Sequence, residues 1–408
     1  MITPERLKNY IQSANINFLI GSGLSRPYLI TLGCIEKWLC ELEESNESDN
    51  VKSVVQASLY KKYFEDVIYK NHNSKIVEDE SIKDYQATIN EYKHFLSIWN
   101  GIITHRYSNI LNKQVNIFST NIDLFVERAA EEIGIEFNDG FRGRFTPTFD
   151  EGNFAKGYSR ISSHFQNKSD ITVFNLLKIH GSIDWVASQK GTNIYCDVEL
   201  KLLESIKSKI EAINQELFID IVDGDNISTL IDKAKAVIKP IRRFNKPYQN
   251  FISEYDKLVI VNPTKRKFKE TVLDLHFYEL MRMLSNSMEK ENSILFVHGF
   301  SFADEHIAKI IQRAADTNPT LIIIVTAFNN DEVVSLKNNL SLKSDMSKND
   351  NIWIVSPENY VESNSFGLKD DDPQAEALKS RFEKFDFNTV NYLYSQIGDM
   401  IPLQIYER

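Results

Sequence analysis

The feature that most restricts this chain is a repeated one. Short, mostly apolar runs end abruptly on glycine, hydroxyl, amide or imidazole residues. Ile16–Ile20 runs into Gly21-Ser22-Gly23-Leu24-Ser25, and Val115–Phe118 into Ser119-Thr120-Asn121-Ile122-Asp123. Ile171–Ile179 ends in His180-Gly181-Ser182-Ile183-Asp184-Trp185, Leu258–Val261 in Asn262-Pro263-Thr264, and Ile294–Val297 in His298-Gly299-Phe300-Ser301. Two further runs, Leu321–Val325 and Ile352–Val355, are likewise short and apolar. Such runs fit strands buried on both faces. Between them the apolar spacing is helical, as in Ile307, Ile310, Ile311 and Ala314.

Strands alternating with helices predict an α/β fold: a Rossmann-like parallel sheet with helices on both faces. Two stretches, about 45–112 and 195–250, have helical spacing and many charges, and are expected to be helical insertions. The sheet domain is expected to span 1–360, followed by a helical C-terminal tail at 361–408. In open parallel sheets, ligands bind beyond the carboxyl ends of the strands. All five polar segments are expected at such ends, which points to one shared site.

Charge and cysteine content remove several functional classes. The 408 residues carry 47 Lys and Arg against 57 Asp and Glu, a net charge of −10, so broad attraction to nucleic acid is not expected. Residues 232–269 depart from this, with 11 basic against 3 acidic side chains, a local net of +8. They form either a solvated face or a docking patch. No apolar run approaches the ~18 residues of a membrane span, and the N-terminus lacks an apolar signal segment. Cys34, Cys40 and Cys196 form no CxxC pair, so neither a disulfide framework nor a zinc knuckle is expected. A reducing, cytoplasmic setting is expected.

Each polar segment admits two readings. Gly21 and Gly23 give either a tight turn or a close backbone approach to a pyrophosphate. Arg26 occupies the third small position of GxGxxG, which argues against a hydride-transferring dehydrogenase. Thr120, Asn121 and Asp123 either cap a helix or line a pocket. His180 is a structural histidine or a general base, because its ordinary pKa suits neutral pH. Ser301 or Asp304 is expected to cap the next helix. The other histidines lack metal-ligand spacing, and no metal is expected.

In order, GSGLS, TNID, HGSIDW and GFSFAD resemble the sirtuin superfamily, most closely its bacterial branch in antiphage defence. The resemblance covers the strand segments from about Ile16 to Asn329. It implies that Gly21, Ser22, Gly23 and Ser25 hold the dinucleotide phosphates, and that Thr120, Asn121 and Asp123 line the nicotinamide and ribose pocket. It further implies that His180 is the general base and that Gly299 and Ser301 contact the ribose region. The zinc-binding CxxC pairs of the deacylating members are missing, and Arg26-Pro27-Tyr28 replaces their GIPDFR-like segment. The implied activity is therefore NAD⁺ hydrolysis, with NAD⁺ as substrate and Asn121, Asp123 and His180 as catalytic residues. The implied assembly is a homo-oligomer, with a HerA-type ATPase as the partner of some members. Two other readings stay open: a non-catalytic NAD or ADP-ribose-binding module, and a zinc-free deacylase.

Overall fold

The computed structural model describes residues 3–29, 34–72, 82–106, 111–164, 166–188, 193–222, 224–239, 248–261, 272–342, 350–365 and 372–399. Asn262-Pro263-Thr264 and the basic residues Arg242, Arg243, Lys246, Lys265, Arg266 and Lys267 lie outside them.

The fold is α/β, as the alternation predicts. The central sheet contains β1 (Asn15–Ile20), β2 (Gln114–Ser119), β3 (Phe137–Asn138), β8 (Val173–Lys178), β12 (Ser293–His298), β13 (Ile322–Thr326) and β14 (Ile352–Val355). Their order is β14-β13-β12-β1-β2-β8-β3, and every pairing is parallel. Without the two-residue edge strand β3, this is the doubly wound order 3-2-1-4-5-6. The chain reverses direction across the sheet between β1 and β12, which makes that junction the topological switch point.

Alternate side chains along each strand enter different cores. Phe18, Ile117, Leu176 and Phe296 pack on the face covered by helices Ile82–Thr104, Phe125–Ile133 and Phe387–Asp399. Leu19, Phe118, Leu177 and Val297 pack on the other face, under helices Val272–Glu289 and Glu305–Thr317. One polar row crosses the sheet. Asn116 Nδ2 donates to Asn17 Oδ1 and Asn175 Nδ2 donates to Asn116 Oδ1, each at 2.9 Å, along the register Asn17–Asn116–Asn175.

The Leu258–Val261 run departs from expectation. Leu258–Ile260 is a strand, β11, but it pairs antiparallel with β9 (Gly181–Ala187) in a second sheet. That sheet also holds β10 (Ile194–Cys196), β5 (Thr148–Phe149) and β4 (Phe141–Arg142). A small hairpin, β6 (Ser159–Ile161) with β7 (Lys168–Asp170), stands apart. The run was too short and too uniformly apolar to reveal its strand direction. The central sheet therefore gathers four of the five polar segments.

Helices from each of the two expected insertions meet in one core. Helix Asp49–Tyr63 packs on Ile227–Ile238 and Gln249–Tyr255, with Tyr60 and Tyr255 stacked 4.4 Å apart. The same core includes Ile122, Leu124 and Ile183, so this helical unit sits against the carboxyl end of the sheet. Lys235 and Glu47 tie the two stretches together at 2.7 Å. Helix Ile82–Thr104, by contrast, lies directly on the sheet, where Trp99 and Phe95 meet Phe18.

Candidate functional site

The site begins where β1 and β12 diverge. Gly21 N–H donates to His298 O (2.9 Å) and Gly23 N–H to Gly299 O (3.0 Å). A Cβ on Gly21 would strike the Gly299 carbonyl, and Gly299 itself has φ +62°. These glycines therefore let two loops meet backbone to backbone at the switch point. Both N–H groups are engaged in that contact. Ser22, Gly23, Gly299 and Ser301 are exposed. Thr120, half-buried, donates through Oγ1 to Ile20 O (3.2 Å).

Below this rim lies a buried floor. Ser25 Oγ donates to Asp123 Oδ2 at 2.6 Å and lies 3.0 Å from the Tyr92 hydroxyl. Asn121 Nδ2 donates to Ser25 Oγ (3.1 Å) and Tyr92 Oη (3.4 Å). Asn121 Oδ1 is buried with no hydrogen-bond partner among the described residues. The Phe125 N–H caps Asp123 Oδ1 at 3.2 Å. Burial raises the Asp123 pKa, against the opposing pull of Lys178, Ser25, the Phe125 N–H and Arg128. Burial, with the Asp123 charge beside it, also holds the Tyr92 phenol well above its usual range, so it stays protonated.

Lys178, at the end of β8, supports the floor from the far side. Its ammonium donates to the Asp123 carbonyl, reaches Glu127 Oε1 at 2.7 Å and donates to Ser182 Oγ at 3.1 Å. Burial still lifts the Glu127 carboxyl to about 7, although Lys178 opposes the shift. Asp184, in β9, accepts from the Cys196 thiol at 3.4 Å. Burial and the Asp184 charge push the pKa of that thiol up.

His180 leaves β8 next to the end of β2. There Ile179 N–H donates to Ser119 O (3.0 Å) and Ile183 N–H to Ile122 O (3.1 Å). Its ring remains 22% exposed and places Nε2 3.1 Å from Asp304 Oδ2. Asp304 follows β12, so this pair spans the mouths of β1 and β2. The other carboxylate oxygen, Asp304 Oδ1, caps the next helix by accepting from His306 and Ile307 N–H. Burial pushes the Asp304 pKa up, but His180 and the two N–H groups more than offset it, and the carboxyl lies below its usual range. Gly181 has φ +76°, and a Cβ there would strike the Val259 carbonyl, so the turn itself requires glycine.

The structure thus brings Ser25, Asn121 and Asp123 into one hydrogen-bonded cluster. His180, Thr120, Gly299, Ser22, Gly23, Gly21 and Ser301 stand around it on adjoining strand ends. Sequence reading missed Tyr92, which sits on an apolar helical stripe and reads there as core. It also missed Lys178, the last residue of an otherwise apolar strand. Asp304 was legible only as a cap. Among the described residues no cluster of histidine, cysteine and carboxylate groups fits a metal ion. No protein-family model and no curated protein matches the chain.

Proposed function

We propose that the chain is an NAD⁺ glycohydrolase that releases nicotinamide and ADP-ribose, acting in antiphage defence through NAD⁺ depletion. One observation carries this reading. The four motif segments meet at the switch point of a doubly wound sheet, where a carboxamide–carboxylate floor adjoins a histidine held by a carboxylate. A dinucleotide suits that crevice. The glycosidic C–N bond breaks with its electron pair leaving on nicotinamide, and the ribose becomes oxocarbenium-like. Water adds to that carbon, and His180 accepts the proton that the water loses. The Asp123 carboxylate and the Asn121 carboxamide place ribose and water. Asp304 keeps the imidazole in one orientation.

The test is nicotinamide release from NAD⁺ by the full chain, alone and with a HerA-type ATPase. His180→Ala and Asn121→Ala are expected to lower the rate by ~10²–10⁴-fold. Asp304→Asn keeps the helix cap, since Asn caps as well as Asp, and is expected to slow release less. Wild-type rates in His180→Ala would sink the assignment.

The burial of Ser25, Asn121 and Asp123 supports a second reading, a module that retains NAD⁺ or ADP-ribose without cleaving it. Saturable binding with no nicotinamide release, in the assembled protein, selects that reading.

A further inference from the structure

Tyr92 belongs to none of the four motifs. It comes from helix Ile82–Thr104, is fully buried, and reaches the floor with its hydroxyl alone. Its ring stacks on Phe125 at 5.4 Å with 2° between the planes and meets Phe387 edge-on at 4.8 Å. Proton accounting fixes how the cluster is wired. A serine hydroxyl has one hydrogen, and the Ser25 hydrogen is committed to the Asp123 carboxylate. Ser25 Oγ can then only accept from Tyr92 and Asn121. The Tyr92 hydrogen goes to Ser25, so its oxygen accepts from Asn121. Both oxygens facing the Asn121 carboxamide are acceptors, and the amide must turn its NH₂ toward them. A flipped amide would set Oδ1 against the Ser25 lone pairs at 3.1 Å. With Asp123 ionised, the unflipped amide is the arrangement that pairs donors with acceptors, and Oδ1 is the atom left without a protein partner.

We infer that Tyr92 is a positioning residue of this site: with Ser25 it locks the Asn121 carboxamide so that Oδ1 is offered as an acceptor to a ligand N–H or O–H. The inference rests on the reading of this crevice as the dinucleotide site. A buried acceptor with no partner is costly, and a donor on the bound molecule, whether ribose hydroxyl, carboxamide N–H or the attacking water, removes that cost. Tyr92 acts through Asn121 and touches no reacting atom.

Tyr92→Phe keeps the ring contacts and deletes the hydroxyl. In the full chain, kcat for nicotinamide release is expected to fall about tenfold, the worth of one hydrogen bond, with KM within about twofold. Ser25→Ala removes the second acceptor. If both act through Asn121, the double variant loses less than the product of the single losses. An activity-independent arm reads the lock directly. In protein labelled with ¹⁵N at asparagine, the Asn121 side-chain amide pair (assigned by its loss in Asn121→Asp) is expected to exchange slowly. In Tyr92→Phe and in Ser25→Ala it is expected to shift and exchange faster. Kinetics within twofold of an active wild type, or an amide pair unchanged in both variants, overturns the inference. A wild type that releases no nicotinamide overturns the proposed function instead, and the amide pair still decides the role of Tyr92.

Discussion

The His298 imidazole ends β12 between two hydroxyls, with Nδ1 2.8 Å from Thr326 Oγ1 and Nε2 2.6 Å from Tyr394 Oη. Burial lowers its pKa to about 3. The folded chain therefore refuses a proton that the unfolded chain binds below about 6.5. Stability from this group is present above pH 6.5 and is lost as pH falls toward 3. Glu127 has the opposite sign: raised to about 7, it costs stability as pH climbs from 4.5 through 7. Substituting His298 separates the two. Between pH 7 and pH 5, urea unfolding of the wild type is expected to lose about 2 kcal/mol more than that of His298→Gln. Parallel losses in the two proteins would remove His298 as the cause. The two histidines that head glycine motifs thus have different fates. His180 stays accessible against a carboxylate, whereas His298 is sealed against hydroxyls, and the shared His-Gly dipeptide does not distinguish them.

Within the sheet, the asparagine row Asn17–Asn116–Asn175 does what apolar side chains cannot. A one-residue slip of β2 would part Asn116 from both neighbours. Asn116 is the central link, accepting from Asn175 and donating to Asn17. Asn116→Leu removes the partner of Asn17 Oδ1 and of Asn175 Nδ2 and is expected to cost about 1–3 kcal/mol, read as a lower urea midpoint with unchanged slope. A midpoint equal to wild type would show the row to be incidental. The register matters for the site because it sets Ser119 beside Lys178, and hence Asn121 and His180 on neighbouring strand ends. The strands of the central sheet were legible from composition and length. The direction of Leu258–Ile260 was not, because an isolated three-residue apolar strand carries no sign of whether its neighbour runs parallel or antiparallel.

At the scale of the molecule, the sheet is closed on one side by helices drawn from distant parts of the chain. Helix Phe387–Asp399 buries Val390, Leu393, Tyr394 and Ile397 against helix Ile82–Thr104 and the sheet. Asn391 Nδ2 donates to the Glu91 carbonyl at 2.9 Å, one residue from Tyr92. Each such apolar side chain contributes about 1.5–3 kcal/mol, so four together approach the net stability of a domain, about 5–15 kcal/mol. A chain stopped after Asp386 is expected to lose its cooperative thermal transition, and nicotinamide release with it. A truncated chain melting at the wild-type Tm would show this helix to be peripheral.

The α/β class, the alternation of strands and helices, and the polar residues at the strand ends could all be read from the amino-acid order. Those follow from local periodicity and from the few residue types that tolerate a strand-to-helix turn. That Tyr92 reaches Asn121 and that Asp304 meets His180 emerges from the folded chain alone. So does the core that helices from two charged stretches form against the carboxyl end of the sheet. These contacts join residues 29 to 188 positions apart. A hydroxyl on an apolar stripe, or a carboxylate at a helix start, looks the same in sequence whether it meets solvent or a partner brought to it by the fold.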